Sequence, residues 1–402
     1  MAVNYTPMDD LLPVAGVRLA AIAAGIRYQD RDDLLLVEIA EGSNVAGVFT
    51  QNRFCAAPVL LCREYLKSHT PRYLVINSGN ANAGTGEQGL ANASAICSSL
   101  AVATGVDTEQ VLPFSTGVIG EQLPVEPFQK SFPTALSSLS GDAWQSAARA
   151  IMTTDTLPKA FSQQISINGE VVTLTGIAKG AGMIEPNMAT MLAYVATDAD
   201  IEQSLLQGML KQAADLSFNS ITVDGDTSTN DALVLIATGQ SNVSISGQAI
   251  AQFQQALNAL CQYLAQAIIR DAEGATKFVT LSVQSAPDLE TARAVAFTVA
   301  RSPLVKTALF ASDPNWGRIL AAIGRSPVQQ LDISKLSLWL GETELIKAGQ
   351  PVETYTEQAG QLEMDKQEIT ITIDLDHGQS STTVWTSDLS HDYVTINAEY
   401  RS

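Results

Sequence analysis

A mixed α/β or α+β fold is what this sequence predicts, and three observations predict it. Apolar or alternating runs of strand length recur between Leu34 and Asp374, interspersed with longer stretches that carry an apolar stripe. Asn168-Gly169 stands between two alternating runs, the strongest short signal for a hairpin. Strands and helices succeed one another without a strict rule, so neither an all-helical nor an all-strand chain fits.

Taken in order, residues 34–40 and 45–50 are expected strands. Residues 72–77 form a third, and Leu74-Val75-Ile76 marks it as buried within a sheet. Residues 90–104, rich in Ala, Leu and Ser, should be helical, as should 142–152. Residues 162–167 and 170–177 are the two arms of the Asn-Gly hairpin. Residues 201–216 place Leu205, Met209 and Leu216 on a helical stripe. After Ser246, Ile250, Phe253, Leu257, Leu260, Leu264, Ala267 and Ile268 recur at three- and four-residue steps. Glutamines fill the other faces, which describes a helix laid on a core. Residues 277–284 and 368–374 alternate as strands do, and a domain boundary is expected near Ala286-Pro287, setting off a C-terminal subdomain over about 287–402.

The 402 residues are enough for two to three packed units of about 150 residues each. Apolar residues make up 46% and charged ones only 16%, so the chain is expected to be folded throughout. With 23 Lys+Arg against 42 Asp+Glu, the formal charge is −19, which repels nucleic-acid phosphates and anionic lipids alike. No nucleic-acid or membrane partner is expected. The opening MAVNYTPMDD lacks the positive region and apolar run of a secretory signal, and the longest uncharged stretch, 89–106, is diluted by Asn, Ser and Thr. A cytoplasmic protein with free thiols is the expectation, with Cys55, Cys62, Cys97 and Cys261 as buried packing residues.

Several motifs match only in part. His69, His377 and His391 lie in polar surroundings without a GxSxG or HExxH pattern, so they are expected at the surface. The run Asp224 to Asp231 begins like a calcium loop but has Thr229 where Gly is needed and Leu235 where a bidentate Glu belongs. A turn held by Asx hydrogen bonds explains it better. Gly84, Gly86 and Gly89 satisfy the dinucleotide spacing, but six residues separate them from the preceding strand. A tightly turning loop is the simpler reading, and neither metal nor organic cofactor is expected.

Two segments are harder to explain by packing alone. From Lys179 to Ala193 a glycine run carrying a lysine meets Asn-Met-Ala-Thr and then a strand-like run from Thr190. A threonine there can present its hydroxyl at the edge of a cavity, although threonine is common at strand starts. In Phe114-Ser115-Thr116-Gly117-Val118 a strand ends in a hydroxyl followed by glycine. Such a turn can aim an O–H and an N–H at one point, as an oxyanion hole requires, or can simply end a strand.

These segments resemble the ornithine acetyltransferases of arginine biosynthesis, many of which are also glutamate N-acetyltransferases. The resemblance runs nearly end to end. It includes SGNANA from Ser78, MTTDT from Met152, TVDGDTS from Thr222, DAEGATK from Asp271, DPNWGR from Asp313 and YVTINAEY from Tyr393.

The resemblance implies self-cleavage between Ala189 and Thr190, giving chains 1–189 and 190–402, and a dimer of such pairs, a heterotetramer. It implies an α/β fold of layered sheets covered by helices, with chemistry like that of N-terminal nucleophile hydrolases but a distinct arrangement. Thr190 is implied as the acyl-carrying nucleophile, with Thr116 and Gly117 as the oxyanion hole. Thr153, Lys179, Thr190, Glu273, Asn397 and Ser402 are implied to bind substrate, Lys179 suiting an α-carboxylate and Glu273 a cationic end. Ser402 stands where many relatives have Thr. The implied reaction moves acetyl from N2-acetylornithine to glutamate, with acetyl-CoA as a further donor in bifunctional members. Two other classes compete: a self-cleaving aminopeptidase or amidase that passes the acyl group to water, and a non-catalytic binding protein for amino-acid ligands.

Overall fold

Two units divide the chain of the computed structural model, which describes residues 2–185, 191–329 and 331–399. One comprises residues 6–219 and 226–268, the other the described residues of 1–5, 220–225 and 269–402. The expected cleavage residues Ala189 and Thr190, and the expected substrate residue Ser402, lie outside the described residues.

In the first unit the strands are Val17–Ile22 (β1), Leu34–Ile39 (β2), Asn44–Phe49 (β3), Tyr73–Asn80 (β4), Val111–Val118 (β5), Lys159–Ile167 (β6), Glu170–Lys179 (β7) and Leu192–Thr197 (β8). Ile221–Thr222 (β9) falls in the second unit, and Ala232–Ala237 (β10) in the first. They form two sheets, ordered β1-β2-β4-β5 and β3-β10-β8-β7-β6. Every residue of β4, β8 and β10 is buried, because each has a neighbour on both edges and cover on both faces. A single core contains Leu34, Val75 and Phe114 of the first sheet with Ile177, Tyr194 and Val234 of the second. Across it the Phe114 and Tyr194 rings meet edge to face at 5.2 Å.

The hairpin forms as its sequence predicts: Asn168 and Gly169 both take positive φ, the backbone that a two-residue turn joining β6 to β7 demands. The striped helix runs Ala249–Arg270 and buries Phe253, Leu257, Leu260, Leu264 and Ile268 completely. It approaches β7 closely at Gly176, where a Cβ would lie 2.9 Å from Leu260 Cδ2. The helix expected from residue 90 starts earlier, at Gly86, and runs to Thr104 before Gly105 caps it with positive φ. Gly89 therefore lies in its first turns, where a Cβ would fall 1.8 Å from Thr85 Oγ1. The glycine spacing thus has a packing cause: Thr85 needs that space to donate to Asn82 Oδ1 at 2.8 Å.

In the second unit Phe278–Ala286 (β11), Ser337–Leu340 (β12), Thr343–Lys347 (β13), Gln350–Pro351 (β14), Glu368–Asp374 (β15) and Ser380–Ser387 (β16) join β9 in one sheet, ordered β14-β13-β12-β15-β11-β16-β9. Helices Leu289–Ala300 and Trp316–Gly324 bury Val295, Val299 and Ile323 in its core with Leu281, Leu338 and Ile371. The division between units lies before Ile269, not near Ala286-Pro287. The physical reason is β11, which pairs with β15 on one side and β16 on the other and so ties the residues before Ala286 to the unit that follows.

Cys62, Cys97 and Cys261 are buried as expected, and burial pushes the Cys261 thiol up to about 12. Cys55 departs from the expectation in being only partly buried. All three histidines are exposed. Among the described residues, no helix is long and apolar enough to cross a membrane.

Candidate active site

Strand β5 carries the expected oxyanion residues at its end. It runs parallel to β4 with Ser78 opposite Thr116 and Gly79 opposite Gly117. At Gly117 the strands come so close that a Cβ would sit 2.2 Å from the Gly79 carbonyl carbon, and φ is +136°. Only glycine fits there, which exposes the backbone instead of a side chain. Buried amides brace this turn. Asn77 Oδ1 accepts the Ser115 hydroxyl at 2.7 Å, and Asn230 Nδ2 donates to the carbonyls of Ala81 at 2.6 Å and Ser115 at 2.8 Å.

Lys179 closes β7 and reaches the same turn, its Nζ donating to Thr116 Oγ1 at 3.3 Å. An ammonium has no acceptor lone pair, so Thr116 Oγ1 must be the acceptor in this contact. The hydroxyl proton then points elsewhere, which is what a donor to a developing oxyanion requires. Both side chains are nearly buried.

Asp155 joins Lys179 to Thr153. Its Oδ2 accepts the Thr153 N–H at 3.0 Å, and its Oδ1 accepts the Gly180 N–H and Lys159 Nζ, both at 2.7 Å. Burial alone would push this carboxyl up. The ammonium groups of Lys159 and Lys179 and the Gly180 N–H outweigh it and hold Asp155 well below the usual carboxylate range. Thr116, Gly117, Thr153 and Lys179 are thus brought together in the first unit.

The other expected residues belong to the second unit. There Asn397 Nδ2, on the helix His391–Ala398, donates to Glu273 Oε2 at 2.7 Å. The loop carrying Glu273 is held on both sides. Asp388 accepts the backbone N–H groups of Thr276 and Lys277 at 2.8 and 2.9 Å, and the Thr276 hydroxyl at 2.6 Å. Ser390 Oγ donates to Gly274 O at 2.6 Å, and a Cβ on Gly274 would strike that hydroxyl at 2.5 Å. Tyr393 donates to Asp224 Oδ2 at 3.2 Å, a use for one carboxylate of the half-matched calcium loop.

Sequence reasoning missed Asp155, Lys159, Asn230 and Asp231. Asp231 is 1% exposed, and its Oδ2 has no hydrogen-bond partner among the described residues. Burial drives its carboxyl well above the usual range, although the Met191 N–H and the Thr50 hydroxyl favour the charged form. The signal for Asp155, Asn230 and Asp231 was present in MTTDT and DGDTSTND, but polar residues in loops usually mean solvent; Lys159 lies outside both motifs.

Known proteins supply the class. The ArgJ family model matches residues 18–402. The arginine biosynthesis bifunctional protein ArgJ of Pseudomonas fluorescens is 53% identical over the whole of both chains. That of Methylococcus capsulatus is 55% identical over 98% of this chain and 97% of its own. The crystal structure of the arginine biosynthesis bifunctional protein from Bacillus halodurans is 38% identical, with a TM-score of 0.50, covering 52% of this chain and 99% of its own. The chain therefore belongs to the ArgJ family. That family comprises the bifunctional glutamate N-acetyltransferase/ornithine acetyltransferases of arginine biosynthesis, and the chain is an enzyme of that kind, not a non-catalytic binding protein.

Proposed function

We propose that the chain cuts itself between Ala189 and Thr190 and then carries acetyl groups on Thr190. The observation that most supports this reading is the Lys179–Thr116 contact beside Gly117, which leaves the Thr116 O–H directed away from the ammonium. A threonine hydroxyl is a weak nucleophile, and no histidine stands near it in sequence to activate it. Scission supplies the missing base: it frees the Thr190 α-amine, with an ordinary pKa of about 7.7–8.0. Partly neutral near pH 7, that amine takes the hydroxyl proton as the oxygen attacks.

The reaction is ping-pong. Thr190 Oγ attacks the acetyl carbonyl of N2-acetylornithine, the negative oxygen rests on the Thr116 O–H and the Gly117 N–H, and ornithine leaves. Glutamate then attacks the acetyl ester, giving N-acetylglutamate and free Thr190. Thr153, Lys179, Thr190, Glu273, Asn397 and Ser402 are the substrate-binding residues of this reading, Lys179 suiting the α-carboxylate and Glu273 a cationic end. Acetyl-CoA serves as a second donor. The working form is a heterotetramer of chains 1–189 and 190–402 in the cytoplasm.

Denaturing mass analysis of expressed protein tests this. Wild type is expected as fragments of 189 and 213 residues (402 − 189), and Thr190→Ala as one uncut, inactive chain. Label from radioactive acetyl donor should be recovered on Thr190. Cutting elsewhere, label on another side chain, or undiminished transfer by the variant would overturn the mechanism.

A further inference from the structure

Glutamate carries a second carboxylate, at the end of its side chain, that N2-acetylornithine lacks. The residues implied to bind substrate include one cation, Lys179, and it is suited to the α-carboxylate. The loop before β2 supplies another. It is built around the buried Asp33 carboxylate, which accepts the N–H groups of Ala24 at 2.8 Å, Arg27 at 3.0 Å and Tyr28 at 3.3 Å. The Asp33 carbonyl takes the Ser78 N–H at 3.1 Å, and Ser78 stands opposite Thr116. A Cβ on Gly79 would lie 2.5 Å from Arg27 Cβ and 3.0 Å from Tyr28 Cε2, so the loop rests on the residue that faces Gly117. Arg31 continues from there. Its guanidinium carbon sits 3.7 Å from the centre of the Tyr28 ring, and its Nη2 donates to Met152 O at 2.9 Å, next to Thr153. Within the first unit the loop thus spans from the Gly117 turn to the Thr153 turn.

The neighbouring cations are committed elsewhere: Arg27 is paired with Glu121 at 2.6 Å and Lys159 with Asp155 at 2.7 Å. Arg31 is partly buried, and among the described residues it donates to a neutral carbonyl, while its Nε, closed off from water, meets no acceptor. A guanidinium taken partly out of water calls for an anionic partner, and the fold gives it none among those residues. We propose that Arg31 receives the side-chain carboxylate of the acceptor glutamate on its Nη edge, and so sets glutamate apart from neutral amino acids. This rests on the reading that puts acyl transfer at the Thr116–Gly117 turn, and adds to it a specificity-determining residue outside the set the resemblance implies. The Tyr28 ring and the bond to Met152 O hold the plane of the fork. A fork held in place favours a carboxylate, with two acceptor oxygens, over the isosteric carboxamide, which turns an N–H toward a donor.

The test compares glutamate with glutamine as acceptors of radioactive acetyl from N2-acetylornithine, using the purified full-length protein. The readout is the ratio of kcat/KM for glutamate to that for glutamine. General damage to the fold lowers both values and leaves the ratio alone. Arg31→Gln is expected to lower the ratio about 10- to 100-fold, chiefly through KM for glutamate. A ratio within about threefold of wild type in folded Arg31→Gln overturns the proposal. If that variant does not fold, Arg31→Lys replaces it. It keeps the charge without the fork and should lower the ratio about fivefold, an unchanged ratio again overturning the proposal. Lys179→Met separates the two levels, because glutamate and glutamine share the α-carboxylate. If it lowers transfer to both while Arg31→Gln leaves the ratio intact, only the proposal falls. If Lys179→Met leaves transfer to both intact, the reading of the site falls and the proposal with it.

Discussion

Asp155 and Asp231 are the same side chain under nearly the same burial, and their carboxyls move in opposite directions. Asp155 receives two backbone N–H groups and a lysine ammonium, and is held below the ordinary range. Asp231 keeps one oxygen without a partner among the described residues, and burial raises it far above that range. Burial therefore decides nothing alone. What decides is whether the fold supplies enough donors to replace the water that was lost.

Breaking the better-served carboxylate should cost most. Asp155→Ala leaves Lys159 buried without its counter-charge and is expected to lose about 3–5 kcal/mol of unfolding free energy, read from urea denaturation. Next comes the hydroxyl that Lys179 orients. Thr116→Val keeps the shape but removes the donor, and should cut kcat about 10²–10³-fold with little change in KM. Asp231→Asn probes the other side of the comparison. At pH 3, below the ordinary aspartate value, the amide should change unfolding free energy by less than about 1 kcal/mol.

The pH dependences sharpen the contrast, since their signs oppose. The lowered Asp155 contributes stability that is complete above the unfolded aspartate value near about 3.9 and is lost as pH falls toward the folded value. The raised Asp231 contributes stability that is complete below about 3.9 and is lost as pH rises toward its folded value. Urea denaturation from pH 3 to 8 should therefore show Asp231→Asn gaining on wild type as pH rises. If the variant's stability runs parallel to that of wild type across that range, Asp231 does not titrate as described.

The distinction between legible and hidden features follows the range of the interactions. The hairpin at Asn168-Gly169 and the stripe from Ile250 to Ile268 were legible because a turn or a helix face is specified by residues a few positions apart. The resemblance likewise pointed to Thr116, Gly117 and Lys179, and the structure brings the Thr116 and Lys179 side chains into contact. Lys159 and Asp155 were not legible. Their four-residue spacing suggests a helix face, whereas Lys159 begins a strand and Asp155 lies in the loop before it. Asn230 was read as part of an Asx turn, and its bonds run to Ala81 and Ser115, more than a hundred residues away.

By itself the sequence determined the α/β character, the acidic surface and the family, since composition, periodicity and short motifs are local properties of the chain. Only the tertiary structure decided which charges are paired, which carboxyl is pushed up by burial and where the units divide. Those outcomes depend on which distant segments exclude water together, and spacing along the chain does not reveal that even for a pair as close as Asp155 and Lys159.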